Sequence, residues 1–238
     1  LVKYLGPSQL EEVGYSQSKE TSTSNQETHP DFTVTIQAVD KAAVAICRMF
    51  DSNVSKVNTM LGIEQEYFIV DEAFYRARPD LMICNRTLIG HTAAKDQQLE
   101  DHYFGAIPNR VMAFMKDFET EAYKLGILLK TRHNEVARGQ FEFAPIYGEA
   151  NISVDQKLMM MIIMKKIAKK HKLKVIFHEK PFAGVNGSGK HCNWSLVTNT
   201  GVNLLSPGKT PRTNLQFLSF FAAVIRGVYE HHSLLMSS

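Results

Sequence analysis

The chain alternates between segments whose apolar residues recur every three or four positions and shorter segments in which they recur every second one. Ile36, Val39, Ala43, Ile46 and Phe50 mark an amphipathic helix beginning near Asp31. Residues 61–70 then switch to period two, the signature of a strand. Pro108 suits the first turn of a second helix, with Val111, Met115, Phe118, Ala122 and Leu125 as its buried stripe and Gly126 as a left-handed stop. Ser153 and Gln156 have capping-box spacing and predict a third helix. It runs through Leu158, Met161, Ile162 and Ile167 to a basic last turn at Lys169, Lys170 and His171. Thr210 and Pro211 open a fourth. Strand patterns cover 135–144, 175–179 and 191–197. Residues 16–28 are polar and aperiodic, so 1–32 reads as an irregular segment and 33–238 as one domain. Strands separated by long helices predict an α+β or α/β domain.

Composition narrows the choices. The 238 residues are 44% hydrophobic and 10% aromatic, too rich in core-forming side chains for disorder throughout. No apolar run approaches the roughly 20 residues that cross a bilayer, so no membrane partner is expected. A net charge of +3 gives no reason to expect nucleic acid. Cys47, Cys84 and Cys192 form no CxxC pair, which argues against a disulfide framework or zinc ribbon and for a reducing, cytoplasmic setting. Lys165, Lys166, Lys169, Lys170, Lys172 and Lys174 read as a solvated helix end, and Met159 to Met161 as core filling. The chain starts at Leu1 without a secretory pattern and stops after an amphipathic run (Phe217, Phe221, Val224, Val228, Leu235), so a domain incomplete at both ends is expected.

Three clusters carry candidate chemistry. In a strand, Glu64 and Glu66 project from one face about 7 Å apart. A divalent cation between them or a solvated outer face would each explain the pair. Glu135 and Glu142 differ in parity, yet Gly139 permits a bend that turns both the same way, with Phe141 and Phe143 on the buried side. Four carboxylates on two strands suit Mg²⁺ or Mn²⁺; surface charge flanking a Phe-rich strand is the alternative. Gly184 to Lys190 has the spacing of a phosphate-binding P-loop, but His191 stands where Ser or Thr is required. The residues that follow alternate as a strand, with His191, Asn193 and Ser195 on one face, where a P-loop would open into a helix. What remains is a glycine-rich loop able to bring backbone N–H groups to an anion, with a histidine at the head of a polar strand face.

Taken in order, these motifs resemble glutamine synthetase over most of residues 33–238, and its type III branch in particular. The resemblance rests on 62–68 (Gly-Ile-Glu-Gln-Glu-Tyr-Phe), on Glu135 to Glu142, on Asn186-Gly187-Ser188-Gly189 with His191, and on 98–105 and 178–195. It implies an α+β catalytic domain with a curved, mainly antiparallel sheet and flanking helices. The implied reaction is ATP-dependent ligation of ammonia to the γ-carboxylate of L-glutamate through γ-glutamyl phosphate. By resemblance, Glu66, Glu135 and Glu142 match ligands of one Mg²⁺ or Mn²⁺ and Glu64 and His191 those of a second. Asn186 and Gly187 match the glutamate-binding loop, and Asn193 and Ser195 lie where ATP phosphates are met. A cytoplasmic homo-oligomer, dodecameric in the family, is implied as well. Other readings are a glutamate–amine ligase or a non-catalytic descendant of the fold. Residues before 33 do not show the family's N-terminal β-grasp domain, and segments bearing further carboxylates and arginines would follow residue 238, so the chain alone is expected to be inactive. Arg138 and Gly139 depart from the usual Pro-Ala.

Overall fold

The structure, a computed structural model, describes residues 30–91 and 96–237. The irregular segment read over 1–32 therefore lies outside the described residues as far as residue 29. In chain order the elements are α1 (Pro30–Cys47), β1 (Val57–Ile63), β2 (Gln65–Asp71), α2 (Glu72–Arg76), α3 (Pro79–Cys84), a 3₁₀ turn (Gln98–Glu100), α4 (Asn109–Lys124), β3 (Leu129–Asn134), β4 (Gln140–Pro145), β5 (Gly148–Glu149), α5 (Ala150–Lys170), β6 (Leu173–Ile176), β7 (Cys192–Thr198), α6 (Leu215–Glu230) and α7 (His232–Met236). Among the described residues no helix is long and apolar enough to cross a membrane.

Two compact units divide the chain. The first comprises residues up to 61, 149–151 and 194–238; the second comprises 62–148 and 152–193. The first contains α1, α6 and α7 and most of a three-stranded sheet of order β5-β1-β7. Its core joins Ala43 and Cys47 of α1 to Val57, Leu196, Leu204 and Phe220. The Asp40 carboxylate accepts from the Val57 N–H at 2.7 Å, tying helix to strand.

The second unit is built on a four-stranded sheet of order β3-β4-β2-β6 whose neighbours are all antiparallel. Alternation gives this sheet two dissimilar faces. Tyr67 on one face meets Phe141, Phe143 and Phe177, with ring centroids 5.9 to 6.3 Å apart, and Phe118 of α4 reaches Phe143 at 5.6 Å. The other face is acidic at one end, where Glu66 stands opposite Glu142, and apolar at the other, where Phe68 packs with Leu81, Ala137 and Ile176. On the face of Glu66, Phe68, two residues on, is buried as completely as Tyr67.

The helices follow the periodicity with shifted ends. The stripe of α4 includes Phe114 at 0% exposure, while Leu125, at the end of the helix, is 56% exposed. Pro108 is the residue before the first turn, and Gly126 has the left-handed backbone foreseen, at φ +74°. Phe50 lies beyond α1 and is exposed. Ser153 is a buried residue inside α5, because the helix begins at Ala150 directly from β5. Met160, Met161 and Met164 fill core, while Met159 and Ile162 face outward. The last long helix starts at Leu215, where the Asn214 side chain caps the Phe217 N–H at 3.1 Å, rather than at Thr210.

The aromatic layer beneath the acids makes a direct stability prediction. Phe143 is 1% exposed, so F143A should cost about 3–5 kcal/mol in chemical denaturation, and F143L distinctly less. A loss below about 1 kcal/mol for F143A would contradict this account of the core.

Candidate metal centre

The hairpin of β3 and β4 delivers most of the site. Its turn closes by Glu135 N–H to Gln140 O at 2.9 Å and Gln140 N–H to Ala137 O at 3.0 Å. Gly139 sits at φ +74°, and a Cβ there would lie 3.2 Å from the Ile69 carbonyl that faces it. Residues 135–139 are therefore turn rather than strand, and this turn brings Glu135 round to the side of Glu142. Across the sheet, register aligns His133, Glu142 and Glu66 in one row. Residues 189–191 run beside β2, with Glu64 N–H donating to His191 O at 2.9 Å and Glu66 N–H to Gly189 O at 3.1 Å.

Two triads of side chains converge, sharing Glu142. Glu64, Glu142 and His191 present ligand atoms within 4.8 Å of one another, as do His133, Glu135 and Glu142. His191 Nδ1 is 3.2 Å from Glu64 Oε2, and His133 Nε2 is 3.1 Å from Glu142 Oε1. Glu66 belongs to neither triad. Its Oε2 accepts from the Gly189 N–H at 2.7 Å and from Gln140 Nε2 at 3.1 Å. The structure thus collects all five residues read as metal ligands in one unit. It also adds His133, which the sequence analysis passed over although it stands two residues from Glu135.

The electrostatics are unfavourable without a cation. Glu66 is 8% exposed and Glu142 6%. Among the described residues, no lysine or arginine pairs with any of the four carboxylates; their ion-pair partners are imidazoles alone. Burial raises Glu135 above the ordinary carboxylate range and the Glu66 charge adds to it, with His133 partly opposing. Burial likewise raises Glu142, offset by His133 and reinforced by Glu135 and Glu64. Burial works against a charge on His133, but the Asn134 carbonyl and the Glu142 and Glu135 carboxylates outweigh it, and the imidazole lies above its usual value. Oxygen-rich donors with one imidazole in each triad, starved of positive charge, fit a divalent cation of the Mg²⁺ or Mn²⁺ kind.

The remaining predicted residues are placed as follows. Gly187 O accepts from Gln140 Nε2 at 2.8 Å, and a Cβ on Gly187 would fall 2.2 Å from the Glu179 carbonyl oxygen, so only glycine fits. Asn186 lies beside it and bonds to Gln97. Asn193 Nδ2 donates to Glu64 Oε1 at 2.8 Å. Ser195 is half-buried on β7 and falls in the first unit, whereas the others fall in the second. Gln140, two residues before Glu142 on β4, links Glu66, Gly187 and, through its Oε1, the Ala137 N–H at 3.1 Å.

A pH dependence of stability follows. Because burial and neighbouring carboxylates raise Glu135 and Glu142, both ionise at higher pH in the folded, ion-free chain than in the unfolded one, so their ionisation destabilises the fold. The raised value of His133 contributes stability at low pH that is lost as pH rises through its folded value, the same direction. In chelator, the melting temperature should therefore climb as pH falls from above the ordinary imidazole range toward the ordinary carboxylate range. E142Q should flatten that slope, and saturating Mn²⁺ should remove it. A chelated wild-type chain whose stability falls over that range would contradict the assignment.

Comparison with known proteins places this geometry. Residues 18–237 match the family model described as glutamine synthetase, catalytic domain. A glutamine synthetase of Bacteroides fragilis (strain YCH46) is 58% identical over 203 residues, covering 85% of this chain and 28% of that protein. A type-3 glutamine synthetase of Dictyostelium discoideum is 50% identical over 199 residues, covering 84% of this chain and 27% of that protein. Among solved structures, one described as "Apo GmaS without ligand" superposes with a TM-score of 0.50 at 25% identity, covering 70% of this chain and 35% of that one. The chain therefore spans under a third of the length of these curated relatives. With the acidic sheet face, the glycine-rich loop and the family match in agreement, the chain belongs to the glutamine synthetase family, as part of its catalytic domain.

Proposed function

We propose that this chain supplies the metal- and substrate-holding part of a cytoplasmic, homo-oligomeric ligase that joins ammonia to the γ-carboxylate of L-glutamate at the expense of ATP. The observation that carries this reading is the cluster of four carboxylates and two imidazoles whose acids lack any lysine or arginine partner among the described residues. On this reading residues 33–238 form part of one catalytic domain, with Glu64, Glu142 and His191 around one Mg²⁺ or Mn²⁺ ion and Glu66, Glu135 and Glu142, joined by His133, around a second.

A carboxylate is a poor electrophile, so the γ-carboxylate is activated by phosphoryl transfer from ATP, and ammonia then displaces phosphate. Bound divalent ions would supply the positive charge that both the phosphates and the paired substrate carboxylates require. The chain's own residues then divide the remaining work. Asn186 and Gly187 contact L-glutamate, and the bond from Gln140 fixes the Gly187 carbonyl in place. Asn193 and Ser195 face the ATP phosphates, with Asn193 steadied by Glu64. The acids serve as cation holders rather than as a general-base pair, because two of them share Glu142 as a common neighbour in separate triads.

Ligand binding tests this directly. Calorimetry on the chain should detect L-glutamate binding that needs Mn²⁺ and that D-glutamate does not reproduce. E135Q should weaken it at least about tenfold, the order expected for disrupting a charged, buried contact. Binding that is indifferent to Mn²⁺, to E135Q and to the handedness of the amino acid would overturn the proposal.

A further inference from the structure

Within the glycine-rich loop, the residues around Asn186 are fastened differently from Asn186 itself. Ser188 N–H donates to Glu179 O at 2.8 Å, Gly187 O accepts from Gln140 Nε2 at 2.8 Å, and Gly189 N–H donates to Glu66 Oε2 at 2.7 Å. These bonds anchor the later half of the loop to the acidic sheet face. Asn186 takes part in none of them. Its backbone N–H donates to Gln97 Oε1, and its own Oδ1 accepts from Gln97 Nε2 at 3.1 Å. Among the described residues these are the hydrogen bonds of Asn186. One primary amide, 89 positions away in sequence, thus holds both the main chain and the side chain of this residue.

Gln97 is presented by a segment that is itself docked on the site. Asp96, Leu99 and Glu100 adopt positive φ (44°, 57° and 54°), so the chain turns sharply on either side of Gln97. The residues that follow are fastened to the site. His102 Nδ1 lies 2.6 Å from the Glu135 carbonyl, Asn134 Nδ2 donates to His102 O at 3.1 Å and to Gly105 O at 2.7 Å, and Asp101 pairs with Arg138 at 3.5 Å. The Tyr103 ring stands edge-on to His133 with centroids 5.8 Å apart. Residues 96–105 therefore touch the hairpin that carries Glu135 and His133 and, through Gln97 alone, the residue proposed to meet the substrate.

We propose that Gln97 is a positioning residue for L-glutamate: it contacts no reacting atom, but its amide sets the orientation in which Asn186 meets the amino acid. The inference rests on the reading of Asn186 as a glutamate contact. Holding a polar side chain in its bound orientation before the ligand arrives removes an ordering cost from binding. Gln97 should therefore affect affinity for glutamate and leave the cation cluster untouched.

Two variants of the chain and three readouts test it. In Q97A, amide exchange followed by NMR should speed up at Asn186 while Ser188 and Gly189 keep their protection. L-Glutamate affinity measured in Mn²⁺ should fall about tenfold, the order of one to two net hydrogen bonds, while Mn²⁺ affinity changes less than about twofold. Q97E can still accept from the Asn186 N–H but cannot donate to Asn186 Oδ1, so it should retain the exchange protection and still lose affinity. Unchanged glutamate affinity in Q97A, or a parallel loss of Mn²⁺ affinity, would overturn the positioning role. A wild-type chain that binds Mn²⁺ but no L-glutamate would overturn the reading of Asn186 itself, and the positioning role with it. That result is separable, because the exchange experiment reports on the Gln97 contact without any ligand.

Discussion

Everything at the site depends on one pairing: the antiparallel register that sets Glu66 directly opposite Glu142 on the same face of a sheet. Two buried carboxylates set opposite each other on one sheet face repel unless positive charge stands between them. A fold that only needed to be stable would not hold them there. The register is fixed from the opposite face, where Tyr67, Phe141 and Phe143 interlock. A slip of one residue would carry all three rings to the acidic face and turn the acids toward the aromatic layer. The aromatic layer thus holds the acids together, and burial, reinforced by neighbouring carboxylates, raises the proton affinity of Glu135 and Glu142.

The same logic explains how the loop and the turn are used. Both pack closely at glycines: Gly187 leaves no room for a Cβ beside the Glu179 carbonyl, and Gly139 takes a positive φ against the Ile69 carbonyl. The amides of Gln140 and Gln97 then fix the loop at Gly187 and Asn186. Gln140 links the loop to the sheet and Gln97 links it to the neighbouring segment.

Much of this was legible in the sequence, for identifiable reasons. Period-two alternation around Glu64 and Glu66, and a glycine between Glu135 and Glu142, are local signals, and local signals predicted both the shared face and the bend. The strand after Lys190, which told against a phosphate loop, is present as β7. Less legible was whatever depends on contacts distant in sequence. The burial of Phe68 is of this kind, since its cover, Leu81, Ala137 and Ile176, comes from three other segments. His133 gave no spacing signal of its own; only pairing with β4 places it beside Glu142. Helix starts were misjudged where a stronger local device stood nearby, as Asn214 did after Thr210.

The central claim is that Glu142 lies between two cation positions, one completed by Glu64 and His191 and the other by Glu135 and His133. Titration of Mn²⁺ into the chain, followed by the loss of its free electron-spin resonance signal, measures this most directly. The account predicts two saturable ions in the wild type, loss of one in H191A, loss of the other in H133A, and loss of both in E142A. An E142A chain that takes up Mn²⁺ as the wild type does would contradict it.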